Sequence, residues 1–234
     1  MFNNCNSKTN GEEKFFLTIK DKINVIFDIG CRSDSEFIYF EGEVHYFDPV
    51  DNFIQKLSHQ PNKNKHSVFN NFGLGNENHE LFYYPRYQSF YDRINSCQIS
   101  DDSNKIILHI KKAKNYIMEN NVKTIDFVKI DTEGYELNVL RGFEDYLAQV
   151  KIIQFEYGGT FLDNNTKLID VIKYLEQYGF CNFSYLTNNG PVLITDFSDH
   201  YKYCNIVCAH KTSEFVSLLQ NQLSNKINMG IVWK

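Results

Sequence analysis

The sequence predicts a doubly wound α/β fold with a mostly parallel sheet. Three observations predict it. Short apolar runs ending in Asp, Glu or Gly recur along the chain. Segments of helical period separate most of them, which calls for crossover connections and parallel pairing. Toward the C-terminus strands follow one another across tight turns, which supplies an antiparallel edge.

The elements follow in order. Asn24 to Gly30 reads as a first buried strand, and Ser33 to Phe40 as a short helix or irregular crossover. Glu43 to Pro49 is a second strand, Val50 to Leu57 a helix, and His66 to Phe72 a third strand closed by the turn Gly73-Leu74-Gly75. Leu81 to Tyr84 is an additional strand, and 88 to 103 a surface loop suited to cover a site. Ile110 to Asn120 reads as a helix whose Lys111, Lys112 and Lys114 form a solvated face. Ile125 to Asp131 is a fourth strand, Tyr135 to Leu147 an amphipathic helix, and Lys151 to Tyr157 a fifth strand. Thr166 to Tyr178 is a helix stopped by Gly179. Phe180 to Leu186 and Pro191 to Thr195 flank the hairpin signal Asn188-Asn189-Gly190. Asn205 to Ala209 is a last strand and Ser213 to Leu223 a final helix.

The expected organisation is a polar lead over 1–20, the α/β domain over 21–211, and a C-terminal helix and tail over 212–234. A chain of 234 residues with 42% hydrophobic and 15% aromatic residues can bury a sizeable, aromatic-rich core. A net charge of −5 argues against a general nucleic-acid binder. Apolar runs of about 18 residues are missing, so no membrane span is expected. Met1 to Gly11 is polar and Asn-rich, unlike a secretory signal, and is expected to be disordered. The six cysteines are scattered. Cys204 and Cys208 share a strand about 13 Å apart, too far for a disulfide. Reduced thiols and a cytoplasmic location are the expectation. Oligomeric state is not legible.

In such sheets ligands bind at the carboxyl ends of strands. The residues to inspect are Asp28, Gly30, Asp48, Gly73, Asp131, Glu133 and Glu156. The first turn, Asp28-Ile29-Gly30-Cys31-Arg32-Ser33-Asp34, lacks the three glycines that let a backbone approach pyrophosphate. Its carboxylates would repel phosphate and attract a cation. S-adenosylmethionine (SAM) carries an ammonium and a sulfonium and no phosphate, so the charge sign favours it over NAD. Asp48, 18 residues beyond Gly30, can accept hydrogen bonds from ribose hydroxyls.

The motif order over roughly residues 24 to 210 resembles the FkbM-type methyltransferases. The most specific piece is Ile125-Asp126-Phe127-Val128-Lys129-Ile130-Asp131-Thr132-Glu133-Gly134-Tyr135-Glu136 followed by Val139-Leu140-Arg141-Gly142, which is similar to the family pattern I-D-x-x-K-x-D-x-E-G-x-E…L-x-G. Phe27-Asp28-Ile29-Gly30 resembles the family's SAM-binding strand, and Tyr46-Phe47-Asp48-Pro49 its F-E-P stretch with Asp in place of Glu. Ile152 to Glu156 resembles the strand that ends in Glu. The first turn departs from D-x-G-A-N-x-G, with Cys31, Arg32 and Asp34 replacing Ala, Asn and the second Gly.

The resemblance implies a class I methyltransferase fold and methyl transfer to an oxygen, with a hydroxyl of a sugar, glycan or small molecule as the acceptor. SAM is then the expected cofactor, held by Asp28, Gly30, Cys31, Ser33, Asp48, Pro49, Gly73 and Leu74. Asp131 and Glu133 are the candidate bases, Glu156 a third, and Lys129 a cation that tunes them. The competing role of Asp131 and Glu133 is favourable charge at a helix N-terminus, and that of Lys129 a buried salt bridge. Asp131, Glu133 and Glu156 offer oxygen ligands that would suit Mg²⁺, but no metal is among the expectations. No HxH or HxxxH pair suggests zinc. Two alternatives stay open: an RNA ribose 2′-O-methyltransferase, against which the acidic balance counts, and a non-catalytic SAM-fold binding or scaffold module, which the altered first turn motivates.

Overall fold

The computed structural model describes residues 2–83 and 105–220. The polar lead is helical and not disordered. Asn6 caps α1 (Ser7–Asn10) by accepting from the Lys8 N–H, and Gly11 at φ +106 turns the chain into α2 (Glu12–Ile19). Phe15, Phe16 and Ile19 recur on one face of α2 and are buried against the sheet. That apolar stripe outweighs the Asn-rich start.

The sheet is built from β1 (Val25–Ile29), β2 (Glu43–Phe47), β3 (His66–Asn70), β7 (Ile125–Ile130), β8 (Val150–Tyr157), β9 (Phe180–Tyr185), β10 (Val192–Leu193) and β11 (Cys204–His210). Their order is β10-β9-β11-β8-β7-β1-β2-β3. Strands β3, β2, β1, β7 and β8 are parallel neighbours. Strand β11 runs antiparallel between β8 and β9, and β10 closes a hairpin with β9. Strands buried on both faces read as nearly continuous apolar runs. Thus Ile26 and Phe127 face one core together with α2, while Phe27 and Val128 face the other.

On that second face lie α5 (Glu136–Phe143), which inserts Leu137, Val139, Leu140 and Phe143, and α7 (Leu168–Gln177), which inserts Leu168, Val171, Ile172 and Leu175. A Phe143→Ala change would open a cavity costing about 3–5 kcal/mol. The β1–β2 crossover holds only a 3₁₀ turn at Glu36–Tyr39, and α3 (Asp51–Ser58) follows β2, packing Ile54 and Leu57 inward. A short α6 (Thr160–Asp163) follows β8. The final helix runs from 215 to the last described residue, burying Phe215 and Leu219.

Two expected elements are different in the structure. Gly73-Leu74-Gly75 is a strand, β4 (Gly73–Gly75), not a turn. The expected helix from Ile110 begins later: β6 (Ile106–Lys112) precedes α4 (Ala113–Glu119). With β5 (His79–Tyr83) these strands form a second sheet in the order β4-β6-β5. The β-branched residues Ile106, Ile107 and Ile110 favour the pleated surface over the helix. Cβ atoms on Gly73 and Gly75 would each lie 2.7 Å from the Ile110 side chain, so these glycines serve close packing. Lys112 and Lys114 both pair with Glu144, and Lys111 lies 4.5 Å over the Phe72 ring. The expected loop 88–103, together with Tyr84, Arg86, Tyr87, Cys97 and Trp233, lies outside the described residues. Among the described residues no helix is long and apolar enough to cross a membrane.

Candidate active site

The first turn leaves β1 at Gly30, where φ is +81. A Cβ there would lie 1.8 Å from the Asp131 carbonyl oxygen, so only glycine lets the turns after β1 and β7 touch. The Gly30 and Cys31 N–H groups donate to the Phe47 carbonyl at 2.8 and 3.3 Å. Arg32, at φ +52, donates its N–H to Asp48 Oδ2 at 3.0 Å, and Val50 donates to Asp48 Oδ1 at 2.9 Å. These N–H groups are therefore spent on β2, and the turn cannot cradle a phosphate as a glycine-rich loop does.

Asp28 lies beneath this turn, 1% exposed. Its Oδ2 accepts from Ser35 Oγ at 2.5 Å, while Oδ1 is buried without a hydrogen-bond partner among the described residues. Burial pushes both the Asp28 and Asp48 carboxyls up to about 6. Asp28 is the register neighbour of Lys129 on β7. Burial opposes the charge on Lys129, yet Asp131, Asp28, Glu12 and Glu36 outweigh it and hold the ammonium well above its usual range. Its Nζ lies 3.4 Å from Asp131 Oδ2.

The turn after β7 is organised by Glu136, whose Oε1 accepts from the Thr132 N–H, the Thr132 hydroxyl and the Gly134 N–H. Glu133 adopts φ +53 and Gly134 φ +100. A Cβ on Gly134 would lie 2.4 Å from the Thr160 carbonyl oxygen. The turn thus leaves Asp131 and Glu133 half-buried, with Glu156 of β8, 2% exposed, beside them. One carboxylate oxygen from each of the three lies within 4.8 Å of the others. Burial, reinforced by Asp131, Glu133 and Glu136, pushes the Glu156 carboxyl well up.

A cleft opens between the two turns. Of the expected donor-binding residues, Gly30, Asp48, Pro49, Gly73 and Leu74 line it. Asp28 and Cys31 lie buried below, and the Ser33 carbonyl accepts from Gln60 outside it. Asp131 and Glu133 line the cleft, while Lys129 and Glu156 stand behind them. Tyr83, which the sequence offers as a contact for a sugar if residues 78–105 close over the site, lines the cleft. Residues not anticipated from sequence also reach it: Arg32, with its guanidinium carbon 5.6 Å from the Phe53 ring centre, and Leu81 and Tyr135. The signal for Tyr83 is its place in an aromatic stretch with Tyr84, Arg86 and Tyr87. Arg32 and Phe53 gave none, because the positive φ at Arg32 sets its direction.

This donor set fits SAM. The walls at Ile29, Leu74 and Phe53 are apolar, and the Asp48 carboxylate stands among them at the end of β2. A parallel sheet with one antiparallel strand inserted near its edge, carrying carboxylates at the ends of β1, β2 and β7, defines a class I methyltransferase. Residues 28–181 match the model of the methyltransferase FkbM domain, and the chain belongs to the FkbM family of SAM-dependent methyltransferases.

Solved structures with a similar course include the fibrillarin pre-rRNA processing protein of Methanococcus jannaschii, at 12% identity over 81% of this chain and 67% of that one, with a TM-score of 0.41. The plantazolicin methyltransferase BpumL, solved in complex with SAH, gives 10% identity over 85% and 80%, with a TM-score of 0.43. At this distance neither informs on ligand or substrate. No curated protein sequence matches the chain.

Proposed function

We propose that the chain transfers a methyl group from SAM to a hydroxyl oxygen of a sugar, glycan or other small molecule. The observation that carries this reading is the meeting of Asp131, Glu133, Glu156 and Lys129 beside the cleft. A hydroxyl is a weak nucleophile, and a positioned base contributes roughly 10²–10⁴-fold. Bound SAM supplies an electrophilic methyl on a positively charged sulfur. Asp131 and Glu133 line the cleft and take the hydroxyl proton. Lys129, with its ammonium beside Asp131 Oδ2, holds that carboxylate in place. The apolar cleft walls exclude water, so the acceptor is oriented by few polar contacts. Gly30, Asp48, Pro49, Gly73 and Leu74 hold the donor.

The test is a screen of glycosyl and small-molecule acceptors with methyl-labelled SAM, followed by Asp131→Asn. The variant should bind S-adenosylhomocysteine as the wild type does and turn over about 10²–10⁴-fold more slowly. Unchanged turnover would remove Asp131 from the chemistry. An RNA acceptor is the second reading, carried by the Lys129, Asp131 and Glu156 set. It requires RNA binding that weakens steeply with salt, which the net charge of −5 disfavours.

A further inference from the structure

We propose that Asp131, Glu133 and Glu156 bind one hard divalent cation, of the Mg²⁺, Mn²⁺ or Ca²⁺ kind, at the inner end of the cleft. Two independent observations point to it. Three carboxylates from two adjacent parallel strand ends bring one oxygen each to within 4.8 Å of the others. Glu156 Oε2 is also buried and accepts no hydrogen bond among the described residues, although the residue is only 2% exposed. A buried carboxylate oxygen without a donor is costly, and a cation removes that cost.

The electrostatics agree. Three carboxylates converge here within reach of one another, and a divalent ion offsets their mutual repulsion. The donor set is all oxygen, which selects hard ions over zinc or copper. Mg²⁺ takes oxygens at about 2.0–2.1 Å and Ca²⁺ at about 2.3–2.6 Å, so oxygens on opposite sides of an ion are about 4.0 to 5.2 Å apart. The three oxygens lie no farther apart than one such ion can bridge. Glu133 is aimed by its left-handed backbone, a conformation that non-glycine residues adopt at a cost. The role of the ion in chemistry rests on the function proposed above: it would bind the acceptor hydroxyl and ease its deprotonation. Binding of the ion rests on the three carboxylates alone.

The experiment is a Mn²⁺ titration of the purified full chain followed by electron paramagnetic resonance, without acceptor. One bound Mn²⁺ per chain is expected, displaced by Mg²⁺ and Ca²⁺, with affinity at least roughly tenfold weaker in Glu156→Gln and in Asp131→Asn. Thermal melting supplies the second readout: saturating Mg²⁺ should raise the Tm of the wild type but not of Glu156→Gln. Glu156→Gln keeps the size of a side chain whose buried carboxyl is already pushed toward its neutral form, so a folded variant is expected and its Tm shows it. The proposal is overturned by no bound Mn²⁺ at about 1 mM free ion, or by binding that both variants leave unchanged. Displacement of Mn²⁺ by S-adenosylhomocysteine would also overturn it, assigning the cluster to the donor's ammonium. A protein that binds the ion but methylates no hydroxyl would refute the proposed function and leave this site standing.

Discussion

The turns after β1 and β7 lie side by side and use their polar groups in opposite ways. After β1 the N–H groups of Gly30, Cys31 and Arg32 all go to the end of β2, and both Asp48 oxygens are engaged by backbone. After β7 a single oxygen of Glu136 gathers three donors, while Asp131, Glu133 and Glu156 crowd together. The first turn is closed on itself and serves as shape. The second gathers carboxylates, the groups proposed above to act on the acceptor. Local inconsistency of this kind, tolerated beside a well-satisfied neighbour, is where function concentrates.

Four substitutions test this contrast. The largest effect is expected for Gly30→Ala. Its methyl would collide with the Asp131 carbonyl at a backbone φ of +81, so both turns must shift. Stability should fall by about 3 kcal/mol or more, measured by urea unfolding, with donor binding lost. Retained stability would mean that the turns are not coupled. Asp48→Ala leaves two backbone donors unpaired, costing about 2 kcal/mol. It should also weaken S-adenosylhomocysteine by roughly tenfold or more in calorimetry, about 1.4 kcal/mol. Loss of stability with full affinity would make Asp48 purely structural.

The third is a pH effect. The Asp28 carboxyl sits at about 6 in the fold against 3.8 for the free group. Between those values the folded state binds more protons than the unfolded one. This contribution is therefore complete below pH 4 and is lost as pH rises through 6. Asp28→Asn should flatten that fall and raise stability at pH 7 by about 1–2 kcal/mol, read from melting curves over pH 4–7. An unchanged profile would mean that Lys129 already compensates Asp28. The smallest effect is expected for Lys114→Ala at the half-buried Glu144, which keeps Lys112 as a partner, so Tm and donor binding should stay nearly unchanged.

Much of this contrast is legible in the sequence. Parallel strands end on one edge of the sheet, so Asp28, Asp48, Asp131 and Glu156 converge wherever their strands pair, and apolar runs locate the strands. What escapes is set by tertiary contact. Gly73 and Gly75 carry the composition of a turn, yet they form a strand because Ile110 packs where their side chains would be. Residues 106–112 are short and lysine-rich, and helix and strand compete closely in such a run. The helical face of Phe15, Phe16 and Ile19 is visible in the letters, but its burial depends on a sheet formed by residues far along the chain.

Gly142 sits in α5 where a Cβ would lie 1.9 Å from the Gly75 carbonyl oxygen. The three-stranded sheet is seated on the main fold through this contact, and it brings Leu81, Tyr83 and Ile110 to the cleft. One face of the cleft therefore comes from a sheet other than the central one. That sheet follows β3 in the chain, and the eight-stranded frame is built from strands outside it. On the proposed reading the frame holds the donor and this wall meets the acceptor, and the two pack together where Gly142 lies on Gly75.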